Sequence, residues 1–287
     1  MYGVNNYFTF LLNSILYNIL YSMRIIYYYQ TFVGMSSLLS NKEKLITHIH
    51  LSSIHFGYNT DSNGKKTTPY IHLNNCLPSD AKFEQVWKDM TEAKKKGIRV
   101  VLMIGGAGGG YSTLFGDFPT FYSLLKQTIK DYPQISGIDL DIEEPVSIDN
   151  VKKLIDAVYL DFGENFIISM APVQSSLQGD YPGMGGFVYK DLFNSPQGRK
   201  ISYFNGQFYG DYSTEAYDSV VKNGYPPEKV VMGMISFQDF NSNLDVIKAL
   251  KKKYGAQFGG IFNWEYFDSP PGGTADPDKW AKILSGN

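Results

Sequence analysis

The 287-residue sequence contains a single cysteine, Cys76, which excludes an intramolecular disulfide and any fold stapled by one. Histidine is almost as scarce, with four in the chain. His48, His50 and His55 crowd one segment, but no Asp, Glu or Cys there completes a ligand set, so these histidines read as structural and no metal is expected. Charge of one sign is also lacking: 26 Lys and Arg against 28 Asp and Glu leave a formal net charge of −2. The longest basic runs are Lys94-Lys95-Lys96 and Lys251-Lys252-Lys253, too short for an electrostatic footprint on nucleic acid. Gly105-Gly106-Ala107-Gly108-Gly109-Gly110 is rich in glycine but is not followed by the Lys-Ser or Lys-Thr of a phosphate loop. No nucleotide or other cofactor is therefore expected.

Residues 1–22 contain no charged side chain. Phe8, Phe10, Leu11, Leu12, Ile15, Leu16, Ile19 and Leu20 make the segment apolar, whereas Asn5, Asn6, Asn13 and Asn18 interrupt it and a basic leading region is absent. Three readings stay open: a signal peptide, an anchor, or a stretch upstream of a true start at Met23. The chain thus divides into an apolar segment, 1–22, and a domain, 23–287, long enough for one large core. A signal peptide would make the protein secreted, and otherwise it is soluble and intracellular. Stable membrane insertion is expected only if 1–22 acts as an anchor.

From Arg24 onward, short apolar runs alternate with helical patterns. The strand candidates are Ile25 to Thr31, Ile46 to Phe56, Arg99 to Ile104, a central stretch around Ile138, Phe166 to Pro172, Tyr203 to Tyr209, Val230 to Ser236 and Gly259 to Phe267. Between them lie stripes such as Phe83, Val86, Trp87, Met90 and Ala93, capped at Ser79 and stopped by Gly97. Gly57 to Ser79, with Asn63-Gly64 and Pro69, reads as a polar excursion outside the sheet. Eight strands alternating with helices predict an α/β fold, a single (β/α)8 TIM barrel.

The central stretch is Ser136-Gly137-Ile138-Asp139-Leu140-Asp141-Ile142-Glu143-Glu144-Pro145. In an extended strand Ile138, Leu140 and Ile142 share one face, and Asp139, Asp141 and Glu143 the other, with neighbouring rungs roughly 6 to 7 Å apart. Taken alone, this also describes a half-buried edge strand with its acids in water. In a parallel barrel the outer face packs on helices and must be apolar, so the three acids point inward. Buried without partners they would be ruinous; climbing to the C-terminal mouth, they stand where barrel enzymes place their chemistry. Like charges so spaced should raise at least one carboxyl pKa, which would leave a proton available near neutral pH.

Together with several flanking segments, this stretch resembles glycoside hydrolase family 18, the chitinases and related endo-β-N-acetylglucosaminidases. Asp139, Asp141 and Glu143 match the last three acids of the signature Asp-x-x-Asp-x-Asp-x-Glu. Arg24 to Thr31 looks like the tyrosine-rich first strand, Met103 to Gly106 like Ser-x-Gly-Gly, Met170-Ala171-Pro172 like the fifth strand, Gln207-Phe208-Tyr209 like the sixth and Phe262-Asn263-Trp264 like the eighth. The resemblance implies Glu143 as general acid and attack by the substrate's own 2-acetamido oxygen, with no protein nucleophile. It further implies that Asp141 orients the acetamide N–H, that Asp139 tunes Asp141, that Tyr209 hydrogen-bonds the acetamide oxygen and that Trp264 floors the sugar site. Tyr28, Phe56, Gln207, Met170, Gly105 and Gly106 are the implied substrate-lining positions.

Ser136 stands in place of the first signature aspartate, Met103 in place of the usual serine, and Ile142 where Trp or Phe is common. The first two are expected to weaken hydrogen-bond support around Asp139. The stretch between the seventh and eighth strand candidates is too short for the large α+β insertion of some members, which predicts an open groove and internal cleavage. The implied activity is retaining hydrolysis of β-1,4-linked N-acetylglucosamine polymers such as chitin, the implied partner being a carbohydrate containing that sugar. An endo-β-N-acetylglucosaminidase acting on N-glycans and a non-catalytic chitin-binding lectin are the alternatives.

Overall fold

The computed structural model describes residues 23–286, so the readings of 1–22 fall outside the described residues. Nine strands form one sheet: β1 (Arg24–Tyr29), β2 (His48–Thr60), β3 (Lys66–Leu73), β4 (Arg99–Gly105), β5 (Ile135–Asp141), β6 (Ile167–Met170), β7 (Tyr203–Gln207), β8 (Val230–Ile235) and β9 (Gly260–Trp264). All but β3 pair in parallel, in the circular order β1-β9-β8-β7-β6-β5-β4-β2, and β2 returns to β1 to close the eight-stranded barrel. Among the described residues, no helix is long and apolar enough to cross a membrane.

β3 lies outside the barrel wall, as expected of an excursion, but it is a strand. It runs antiparallel to the upper half of β2, with Ile54 opposite Leu73, His55 opposite His72 and Gly57 opposite Tyr70. Pro69, which offers no backbone donor, is tolerated because β3 is an edge strand. Asp61 Oδ1 closes the hairpin tip by accepting from the amides of Asn63 and Lys65, both at 2.9 Å.

Helices Glu84–Lys95, Phe118–Asp131, Ile148–Phe162, Thr214–Lys222, Phe240–Tyr254 and Lys279–Ser285 surround the barrel. Their apolar stripes meet the outward strand residues in one continuous layer that includes Ile138, Leu140 and Ile142. Fully burying such a side chain contributes about 1.5 to 3 kcal/mol, so the parity of β5 is fixed from outside. The expected Ser79 cap is displaced by one residue: Asp80 accepts from the Lys82 amide and starts a 3₁₀ turn, Ala81–Phe83, that leads into the helix. Segment 236–259 holds only the helix Phe240–Tyr254 and a short 3₁₀ turn, Gly255–Gln257, so no α+β insertion stands beside the mouth.

A second, smaller apolar cluster fills the barrel itself, with Ile26, Tyr28, Met103, Tyr203, Val231 and Phe262. Arg24 closes its floor, the guanidinium lying 4.4 Å from the Tyr203 ring centroid and donating to the carbonyls of Glu228 and Gly259 at 2.8 and 3.0 Å. Above this floor the inward positions become polar.

Candidate active site

Asp139 is the deepest of the acids and wholly enclosed. Its Oδ2 accepts from the Tyr28 hydroxyl at 2.7 Å, and its Oδ1 accepts from the Ser169 hydroxyl at 2.6 Å and from Asn205 Nδ2 at 3.1 Å. His50 Nδ1 stands 3.3 Å from Oδ2. Burial pushes this carboxyl up, but the adjacent His50 and the hydrogen bonds from Ser169 and Tyr28 outweigh it and hold Asp139 below the ordinary aspartate value. Tyr28, expected to line the substrate site, is a buried partner of Asp139 instead.

Asp141 lies two residues higher on the same strand face, 6% exposed. Burial, then the charge of Glu143, then that of Asp139 raise its carboxyl well above the ordinary value. The expected raised acid in the ladder is therefore Asp141. Gly105 and Gly106 wrap its backbone in the left-handed region, with φ of 92° and 76°, and the Gly106 amide donates to the Asp141 carbonyl at 2.9 Å. A Cβ at Gly105 would meet that carbonyl oxygen at 2.4 Å, so only glycine fits.

β5 ends at Asp141, so Glu143 stands on the following loop rather than as the last residue of the strand. Ile142 keeps the outward parity, at 2% exposure, and Glu143 keeps the inward one. Gln207 Nε2, anchored on the Ala171 carbonyl at 2.9 Å, reaches Asp141 Oδ1 at 3.3 Å and Glu143 Oε1 at 3.4 Å. One amide thus spans both acids. The adjacent Glu144 faces away and accepts from the amides of Gly110 and Tyr111, both at 2.5 Å, which fastens the glycine loop of β4 to the end of β5.

A hollow of about 310 Å³ opens over these groups. Glu143, Asp141, Gln207, Tyr209, Trp264, Gly105 and Gly106 line it, together with Gln30, Ser53, His55, Met103 and Gly108. Burial, then the charges of Asp141, Glu143 and Asp139, raise the Tyr209 phenol well above its usual value, so it stays a proton donor. Trp264 is half-buried, its ring 5.4 Å from that of Tyr28. A larger surface hollow of about 660 Å³ lies between Pro78, Trp87 and Tyr132. It contains no member of the acid network, so size does not identify the chemistry.

Two implied lining residues are elsewhere. Phe56 packs on Phe121 at 5.7 Å between ring centroids, in the layer under the helices. Met170 is fully buried in the same layer, because the inward residue of β6 is Ser169. Neither lines the hollow. Ser136 is not among the hydrogen-bond partners of Asp139: it lies at the register shift between β4 and β5, and its hydroxyl donates to the Gln134 carbonyl at 3.4 Å. The sequence alone reads His50 as structural and gives Ser169 and Asn205 no role. Period-two spacing was a usable signal for the last two, since Ser169 alternates with Ile168 and Met170, and Asn205 with Phe204 and Gly206.

Known proteins are similar to this chain in sequence and fold. A fungal endo-β-N-acetylglucosaminidase of glycosyl hydrolase family 18 is 34% identical, with a TM-score of 0.80 over 91% of this chain and 96% of that one. The chitinase ChiC of Aspergillus fumigatus is 32% identical, with a TM-score of 0.78 over 92% of this chain and 99% of that one. Chitinase 2 of Rhizopus oligosporus is 24% identical over 70% of this chain. The present chain spans 40% of the length of that protein, and 30% of that of Chitinase Chi52 of Paenibacillus xylanexedens. The model of the glycosyl hydrolases family 18 matches residues 24–266, and the chain belongs to that family.

Proposed function

We propose that the chain is a retaining glycosidase that cleaves β-1,4 linkages in N-acetylglucosamine polymers by substrate-assisted catalysis. The observation that carries this reading is the pairing of Asp141 and Glu143 across the Gln207 amide, above a sealed Asp139 and below a hollow lined by Tyr209 and Trp264. In this reading Glu143 protonates the leaving glycosidic oxygen, while the 2-acetamido oxygen attacks the anomeric carbon to form an oxazolinium ion. Asp141 accepts from the acetamide N–H and orients the group for its attack on the anomeric carbon. The Tyr209 hydroxyl donates to the acetamide oxygen, and Trp264 stacks under the sugar. Water then opens the ring as Glu143 takes back a proton, which returns the original β configuration.

A second reading, cleavage within the chitobiose core of N-glycans, is favoured by the likeness to the fungal endo-β-N-acetylglucosaminidase. Product release from a chitin tetramer and from a high-mannose glycoprotein, measured side by side, separates the two. Cleavage of the tetramer, abolished in Glu143→Gln, is expected. Binding of the tetramer with no new reducing ends from either substrate would mean a lectin.

A further inference from the structure

His50 is fully buried inside the barrel and takes no part in the proposed chemistry of the mouth. Its Nδ1 stands 3.3 Å from Asp139 Oδ2 and its Nε2 3.1 Å from the Tyr203 hydroxyl. Its ring packs against that of Tyr28 at 4.8 Å. The imidazole is therefore hydrogen-bonded at Nε2 and packed on one side, with Nδ1 close to the aspartate. The Nδ1 approach lies off the line of a well-formed hydrogen bond, so attraction between charges is the larger part of the contact.

The surroundings of Asp139 explain why that contact matters. Asn205 Nδ2 donates to the Tyr28 oxygen at 2.9 Å, which leaves the Tyr28 hydrogen to point at Asp139. Tyr28, Ser169 and Asn205 all act as donors there, and all three are neutral. On β4 the residue in register with Asp139 is Met103, whose thioether has no proton to give and itself accepts from the Ser52 hydroxyl at 3.0 Å. Around His50 stand Asp139 on β5, Tyr203 on β7, Tyr28 on β1 and, with ring centroids 6.4 Å apart, His48 on β2. The next cation, Arg24, is committed to the floor carbonyls and to Tyr203. His50 is thus the ionisable basic side chain in contact with the buried carboxylate.

We propose that His50 is a positioning residue of the reaction: it keeps Asp139 a carboxylate, so that the single proton of the stacked aspartates rests on Asp141, beside the substrate. This rests on the glycosidase reading above. With His50 replaced, the deep carboxylate loses its imidazole partner and takes up a proton at higher pH, and the acid limb of the activity profile rises with it.

The test is the pH dependence of kcat and KM on a chitin tetramer for wild type, His50→Leu and His50→Gln, alongside carbon-13 titration of the Asp139 carboxyl carbon. Expected for His50→Leu are a fall in kcat of about a hundredfold, an acid limb moved up by about one pH unit and a KM close to wild type. His50→Gln, which keeps an N–H donor, should recover part of both. A fall in kcat with an unmoved acid limb and an unmoved Asp139 titration would reduce His50 to packing and overturn the proposal. Should His50→Leu not fold, Tyr203→Phe removes the hydroxyl that fixes the imidazole and should move the limb in the same direction by less; no movement is again a refutation. The carbon-13 titration decides the point even if wild type cleaves nothing, an outcome that would instead refute the glycosidase reading.

Discussion

The sealed floor and the open mouth of the barrel treat the same side chain in opposite ways. Asp139 and Asp141 are two residues apart on one strand face, both nearly or wholly enclosed, yet one carboxyl is held below the ordinary value and the other well above it. Burial acts alike on both. The difference is the company: hydroxyl, amide and imidazole groups surround Asp139, whereas Asp141 faces the negative charges of Glu143 and Asp139. A graded set of donors along one strand thus sorts protons between identical groups, and the contrast explains how an acid ladder can be buried without wrecking the fold.

The sharpest way to break this contrast is at the mouth. Glu143→Gln leaves the hollow and its lining in place but removes the proposed proton donor, and kcat should fall by about a thousandfold or more while calorimetric binding of a chitin tetramer is retained. Asp141→Asn should cost about a hundredfold. It also changes stability with a predictable sign. Because the folded Asp141 carboxyl is raised, its contribution to stability is fully present below the unfolded value and is lost as pH rises through the folded one. Denaturation of wild type minus that of Asp141→Asn should therefore decline as pH rises above the ordinary aspartate range. Asp139, whose folded value is lowered, contributes in the opposite sense, with stability present above the unfolded value and lost as pH falls through the folded one. Asp139→Asn should thus give a difference curve of opposite slope, and two curves of like slope would break the comparison.

Smaller effects sharpen it. Tyr28→Phe removes one donor from Asp139 and should destabilise by about 1 to 2 kcal/mol in urea denaturation, since the carboxylate is left less satisfied. Glu144→Ala frees the amides of Gly110 and Tyr111 and should cost about 1 kcal/mol with kcat within roughly twofold of wild type, because Glu144 faces away from the hollow.

Much of this was legible because two periodicities agree. The alternation of Ile138, Leu140 and Ile142 with the acids, set between amphipathic helices, fixes which face of β5 is inside, and the barrel follows from the count of strands. Gln207 and Tyr209, which both line the hollow, were indicated by the resemblance to the family rather than by periodicity. What escaped was contact across the barrel. His50 and Asp139 are 89 positions apart in sequence yet 3.3 Å apart in space, and read as a member of a histidine-rich segment, His50 raised only the question of a metal. Phe56 and Met170 were misplaced for a related reason: β2 shifts register between Leu51 and Ile54, which moves Phe56 to the outer layer, and in β6 it is the short polar Ser169 that turns inward. The hairpin strand β3 was obscured by the lysines, threonines and proline that suit an exposed edge.

The proposed reaction depends on a substrate that supplies its own nucleophile while Glu143 moves the proton. Proton NMR of the first products released from a chitin tetramer tests this most directly. The β-anomer should appear first and convert to the α form only by slow mutarotation. An initial burst of α-anomer would mean direct attack by water and would contradict the proposed roles of Asp141 and Tyr209.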